Sequence, residues 1–256
     1  MNKTVTVRNT TLGDGVPKIC VPVTSSNPDG IHRECIHIVQ EGADLVEWRV
    51  DYLRDFDNAN LVANILLAIR RELGETPLIF TLRTKNEGGT ADVKLWDYIK
   101  VLRAAAKTGC VDIIDVELWV LLQLPQEILR ELQSACKIIA SKHHFDMTPS
   151  YEKMVDDMIR MQVFGADIAK LAVMPMDDGD VRRLYSASIE MATHHTSTPI
   201  VTISMGELGL RSRIECVHTG SCMTFAALEG ESAPGQIPIH ILREEMEAYV
   251  PPKKGK

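Results

Sequence analysis

The chain has 256 residues, 45% of them hydrophobic and 25% charged, with a formal net charge of −7, an ordinary balance for a soluble globular protein. No apolar run is long enough to cross a bilayer, and an acidic balance without a basic stripe argues against nucleic acid as a partner. Any anionic small molecule must then be captured by local arginines rather than by the overall field.

The first residues, Met-Asn-Lys-Thr-Val-Thr-Val, lack the apolar core of a signal peptide, so the expected compartment is the cytoplasm. Six cysteines (Cys20, Cys35, Cys110, Cys136, Cys216 and Cys222) are scattered without a C-x-x-C pair. Several fall in apolar, strand-like runs, where cysteine is usually a small reduced core residue. Neither disulfides nor a zinc site is expected.

In chain order, residues 4–9 alternate Thr and Val and break at Leu12-Gly13-Asp14-Gly15, which reads as a small β-hairpin ahead of the main fold. A strand-then-helix rhythm follows. Strands are expected over 19–23, 44–50, 77–83, 112–118, 137–143, 166–173, 199–205 and 221–228. The helices between and after them are expected over 29–40, 59–73, 92–107, 125–136, 149–164, 178–192, 209–216 and 239–249. Gly42, Gly74 and Gly109 stop the first three helices, and Pro125 opens the fourth. Eight such units in about 250 residues are what an α/β fold of the (β/α)8 TIM-barrel type requires. A doubly wound sheet usually carries a glycine-rich phosphate turn after its first strand, and none is present. The expected organisation is one barrel domain over 1–250 and a disordered tail over 251–256.

In such barrels the chemistry collects at the C-terminal ends of the strands, and period-two alternation selects the inward side chains. In Leu45-Val46-Glu47-Trp48-Arg49-Val50-Asp51, Glu47 and Arg49 share the face opposite Val46, Trp48 and Val50. A catalytic pair and a structural salt bridge between neighbouring strands are both open there. Arg83 ends the third strand, with Glu87-Gly88-Gly89 in a flexible turn beyond it. Asp115 and Glu117 share one parity, His143 ends the fifth strand, Met205 ends the seventh, and Arg213 lies just beyond. After the eighth strand, Glu231-Ser232-Ala233-Pro234-Gly235-Gln236 is small and polar, suited to a lid.

Lys170 stands out within Gly165-Ala166-Asp167-Ile168-Ala169-Lys170-Leu171-Ala172-Val173-Met174-Pro175. A lysine in a buried strand either snorkels or neutralises an inward carboxylate. Otherwise it is a desolvated amine that can attack a ketone to form a Schiff base. The convergence of one lysine, one histidine, several carboxylates and three arginines at one barrel mouth points to Schiff-base chemistry on a small hydroxylated carboxylate.

These residues resemble type I 3-dehydroquinate dehydratase, the imine-forming enzyme of the shikimate pathway. The matching pieces are Glu47-Trp48-Arg49-Val50-Asp51, Phe80-Thr81-Leu82-Arg83 with Glu87-Gly88-Gly89, Ser141-Lys142-His143, and Ala169 through Pro175. Ser204-Met205, Ser212-Arg213 and Ser232-Ala233-Pro234-Gly235-Gln236 complete the series, in family order across nearly the whole chain. The resemblance implies that Lys170 forms the imine, that His143 is the general base and acid, and that Glu87 orients His143. It implies that Arg213 grips the substrate carboxylate, with Glu47, Arg49 and Arg83 on the hydroxyl side and Ser232 and Gln236 in the closing loop. Trp48, Met205, Phe225 and Ala233 complete the implied substrate-binding set. It further implies 3-dehydroquinate as substrate, 3-dehydroshikimate as product, no metal or organic cofactor, and a homodimer.

Two positions depart from the family pattern. His144 stands where an acidic residue or asparagine usually follows the histidine, and Pro22 where some members carry serine. A class I aldolase or transaldolase would share the lysine but would need a phosphate cradle after the last strands. A catalytically inactive binder of quinate-like ligands would have no use for both Lys170 and His143.

Overall fold

The computed structural model describes residues 4–228 and 234–249. Two short antiparallel strands come first, β1 (Val5–Val7) and β2 (Thr10–Leu12). The hairpin therefore turns at Arg8-Asn9, earlier than the glycine-rich stretch that sequence pattern favoured. Arg8 takes a left-handed φ of 50°, and its Nε donates to Asp112 at 2.7 Å, which ties the turn to the barrel.

The barrel strands are β3 (Lys18–Val23), β4 (Leu45–Arg49), β5 (Leu78–Thr81), β6 (Ile113–Glu117), β7 (Lys137–His144), β8 (Ile168–Val173), β9 (Ile200–Ser204) and β10 (Met223–Ala227). They run parallel, each paired with the next from β3 to β9, and β10 pairs with β3. The long helices α1 (Pro28–Gln40), α2 (Ala59–Leu73) and α3 (Leu95–Lys107) follow β3, β4 and β5. A short α4 (Leu118–Leu121), not expected from sequence, precedes α5 (Gln126–Ala135); α6 (Tyr151–Val163) and α7 (Asp178–His194) come next. The single helix expected after the seventh strand is three short turns, α8 (Gly206–Gly209), α9 (Arg211–Ile214) and α10 (Cys216–Thr219). A two-residue strand β11 (Ile237–Pro238) and α11 (Ile239–Tyr249) end the described chain.

Local chemistry explains why these elements start where they do. Asn27, Asn58, Ser150 and Asp177 each accept a backbone N–H of the first helical turn, satisfying donors that the helix itself cannot. A second device repeats every other unit. Asp44, Asp112 and Asp167, at the foot of β4, β6 and β8, accept the N–H of Ile19, Leu78 and Ile138 in the preceding strand at 2.8, 2.8 and 3.0 Å. Each locks the register of a strand pair.

Alternation divides the apolar residues into two cores. Outward residues such as Val46, Trp48, Phe80, Val116, Ala140 and Leu171 pack against the helices. Inward residues at the base (Leu45, Ile79, Ile113, Ile139, Ile168 and Met223) form a second cluster with Val5, Val7 and Leu12 of the hairpin. The hairpin thus closes the N-terminal end of the barrel.

The ring closes between β9 and β10 only at its base, through the bridge of Ile200 with Ser221 and the Cys222 N–H donating to the Ile200 carbonyl at 2.8 Å. Higher up, β11 pairs with Ala226 and Ala227 on the edge of β10 away from β3. It fills the seam and delivers Gln236, the residue just before it, to the mouth.

Candidate active site

A cavity opens at the C-terminal end of the barrel, where the sites of this fold collect. Its wall includes Glu47, Arg49, Arg83, Glu87, His143, Lys170, Met205, Arg213, Phe225 and Gln236. Ten of the thirteen residues singled out from sequence therefore meet in one place. Ser232 and Ala233 lie outside the described residues.

Trp48 is a correction. Its side chain faces outward from β4, fully buried in the outer core, edge-on to Phe80 at 5.6 Å between ring centroids. Strand parity had already set it opposite Glu47 and Arg49, and parity prevails over its place in the motif. Trp48→Ala is expected to destabilise the protein by about 3–5 kcal/mol, as for a buried aromatic truncation. Chemical denaturation reads that loss, with the Michaelis constant of the folded fraction unchanged.

Lys170 is 4% exposed. Its Nζ lies 3.3 Å from Glu47 Oε1, 3.4 Å from Asp115 Oδ2 and 4.3 Å from the centre of the Phe225 ring. The lysine thus both lines the cavity and neutralises inward carboxylates. Phe225 adds a cation–π contact.

Arg83 is the cation at the centre of a buried network. It donates to Asp115 at 2.9 Å, to Glu117 at 3.1 Å and to the Ser141 hydroxyl at 2.9 Å. Burial pushes the Asp115 carboxyl up, but the Arg83 and Lys170 charges prevail and leave it below the usual carboxylate range. Arg49 forms a two-pronged pair with Asp51, both bonds 2.8 Å, a geometry suited to a buried guanidinium. The Arg49 salt bridge is therefore local, to Asp51 two residues on, rather than one between neighbouring strands. Glu47 instead accepts from Thr81 at 2.8 Å and from Lys170.

His143 lies on β7, which neighbours the Lys170 strand, two residues beyond the register partner of Lys170, with its Nδ1 3.2 Å from Glu87 Oε2 and its peptide N–H donating to the same oxygen at 3.0 Å. That leaves Nε2 as the ring nitrogen available to the cavity. Burial, then the Arg83, Lys170, Arg49 and Lys142 charges, hold its imidazole pKa well below the ordinary value. The neutral, basic form is therefore populated at neutral pH.

Glu87 is pushed up to about 7 by burial and by Glu117, against the opposing charges of Arg83 and Lys142. The turn that carries it is not loose. Lys85–Glu87 forms one helical turn, and a Cβ on Gly88 would overlap the Phe145 ring while one on Gly89 would overlap the Arg83 carbonyl. His144 follows the opposite parity and faces α6, with its Nε2 3.5 Å from Asp157.

Arg213 is 1% exposed and reaches the cavity from α9. Its Nε donates to the Gly235 carbonyl at 2.6 Å and a terminal nitrogen to the Pro234 carbonyl at 2.9 Å. It therefore anchors the described end of the loop expected to act as a lid. Sequence reasoning noted the inward parity of Asp115 without giving it a place in the site. It missed the pairing of Asp51 with Arg49, and it gave Lys142, next to His143 in the matching piece, no role of its own, whereas its ammonium meets Glu87 at 3.0 Å.

A parallel barrel with a buried amine, a neutral imidazole and confined guanidinium groups at its mouth defines an α/β-barrel enzyme of the amine-nucleophile class. Residues 19–249 match the family model for Type I 3-dehydroquinase, and the chain belongs to that family. Among curated relatives, a 3-dehydroquinate dehydratase of Clostridium kluyveri is 40% identical over 94% of this chain and 96% of its own. One of Enterococcus faecalis is 38% identical over 96% and 98%. The solved 3-dehydroquinate dehydratase of Geobacillus kaustophilus superposes with a TM-score of 0.92 at 33% identity, covering 97% of this chain and 98% of its own. The type I enzyme of Clostridium difficile, described with covalent modified comenic acid, gives 0.91 at 36% identity with the same coverage. Among the described residues no helix is long and apolar enough to cross a membrane.

Proposed function

We propose that this chain dehydrates 3-dehydroquinate to 3-dehydroshikimate through a Schiff base on Lys170. The observation that carries this reading is the shared cavity. One buried amine and one neutral imidazole, both on inward positions of adjacent strands, face it together.

The amine adds to the substrate ketone and water leaves as the iminium forms, the nearest acceptor for the ammonium proton being Glu47. The iminium draws electrons from the neighbouring carbon, so the His143 Nε2 removes a proton there. The electron pair then expels the hydroxyl on the next carbon, to which His143 returns the proton. Hydrolysis of the conjugated imine regenerates Lys170.

Arg213 supplies a guanidinium for the substrate carboxylate, and Arg49, Arg83 and Glu47 face its hydroxyl side. Met205, Phe225 and Gln236 complete the wall. The reading includes the homodimer that the family resemblance implies and the cytoplasmic location expected from the first residues; light scattering of the purified protein checks the former.

The direct test is absorbance of the conjugated enone when purified protein meets 3-dehydroquinate. Turnover supports the reading, and none at substantial enzyme concentration leaves an inactive binder. Arg213→Ala is expected to weaken substrate binding by about 2–5 kcal/mol, the cost of unpairing a desolvated charge. Arg213→Lys recovers part of it, because an ammonium lacks the two-pronged geometry. An unchanged Michaelis constant and turnover in Arg213→Ala would remove this residue from the site.

A further inference from the structure

We propose that Lys142 is a positioning residue for the general base, its ammonium holding Glu87 as the carboxylate that keeps the His143 ring turned with Nε2 toward the cavity. This rests on the dehydratase reading above and deepens it. The observation is a three-membered chain. The Lys142 ammonium lies 3.0 Å from Glu87 Oε1, and the other carboxylate oxygen meets the His143 ring nitrogen at 3.2 Å and the His143 peptide N–H at 3.0 Å. Both ends of the carboxylate are therefore used, one by the neighbour of the base and one by the base itself.

The charges around Glu87 come from three strands. From the end of β5, Arg83 stands 3.7 Å away; from the end of β6, Glu117 opposes its ionisation; from β7 come Lys142 and His143. Arg83 is already committed to Asp115, Glu117 and Ser141. Lys142 is the cation that makes its described side-chain hydrogen bond to Glu87 alone.

A carboxylate that is 1% exposed beside a second carboxylate tends to take up a proton, and Glu87 stands at about 7 even with Lys142 in place. Once protonated, Glu87 donates to Nδ1. The imidazole proton then sits on Nε2, and the ring no longer presents a lone pair to substrate. Lys142 favours the ionised carboxylate, so its removal raises the pH at which the base becomes competent.

The test is kcat/KM for 3-dehydroquinate from acid to alkaline pH in Lys142→Met and Lys142→Arg. Lys142→Met is expected to move the acid limb upward by about one pH unit, about a tenfold loss below the limb. Its values converge on the parent protein at alkaline pH, and Lys142→Arg restores the parent profile. Uniform loss at every pH, or a superimposable profile, overturns the proposal. Heteronuclear NMR of the histidine rings follows the same shift at His143 without turnover. A parent protein that never turns over therefore counts against the dehydratase reading alone, while an unmoved His143 titration in Lys142→Met counts against the role of Lys142.

Discussion

Lys170→Ala is expected to lower turnover of 3-dehydroquinate by on the order of 10⁴-fold or more, as removal of a nucleophile does. No other described lysine faces the cavity wall, so no neighbouring amine replaces it. The fold is expected to survive. Asp115 keeps Arg83 at 2.9 Å and Ser141 at 2.5 Å, and Glu47 keeps Thr81 at 2.8 Å. Lys170→Met, which preserves most of the volume against Phe225, separates lost chemistry from lost packing. Both variants fail in turnover if the amine is the nucleophile; only the alanine variant fails if Lys170 serves the barrel as a filler. Steady-state kinetics with thermal unfolding of each variant makes the distinction.

The second large effect concerns adjacent histidines. His143→Ala is expected to cost at least about a hundredfold in turnover, the usual contribution of a general acid–base group. It should still form a trappable imine, because attack by the amine does not use the imidazole. His144→Ala, or His144→Asp, changes turnover only a few-fold. Parity makes this choice in the sequence, and β7 continues through His144, so alternation holds at both positions. His143 meets Glu87 while His144 points to Asp157. Near-normal turnover in His143→Ala together with collapse in His144→Ala would reverse the assignment of the base.

What was legible in the chain follows from periodicity. The eight strands and the long helices fall within a few residues of their expected places, because apolar alternation and stop signals are local. The same alternation set Glu47 and Arg49 inward. It also set Trp48 outward, where it lies. What was not legible depends on contacts between elements. Lys142 has outward parity, yet its long side chain reaches the turn after β5, and no spacing within β7 encodes that. The Glu87-Gly88-Gly89 turn reads as flexible because glycine permits flexibility. Here the glycines admit the Phe145 ring and the Arg83 carbonyl, a close approach visible only in three dimensions. Arg213 likewise offered a guanidinium near the mouth, but its bonds to Pro234 and Gly235 depend on where β11 returns to the seam. Glu231, Ser232 and Ala233, the first part of the expected lid, lie outside the described residues.

The central claim is a covalent bond between Lys170 and the substrate carbon, and reduction in place tests it most directly. Protein treated with borohydride in the presence of 3-dehydroquinate, then digested and mapped by mass spectrometry, is expected to carry one adduct on the peptide containing Lys170. Absence of that adduct in a protein that turns over, or its appearance on Lys142 or any other lysine, would contradict the mechanism.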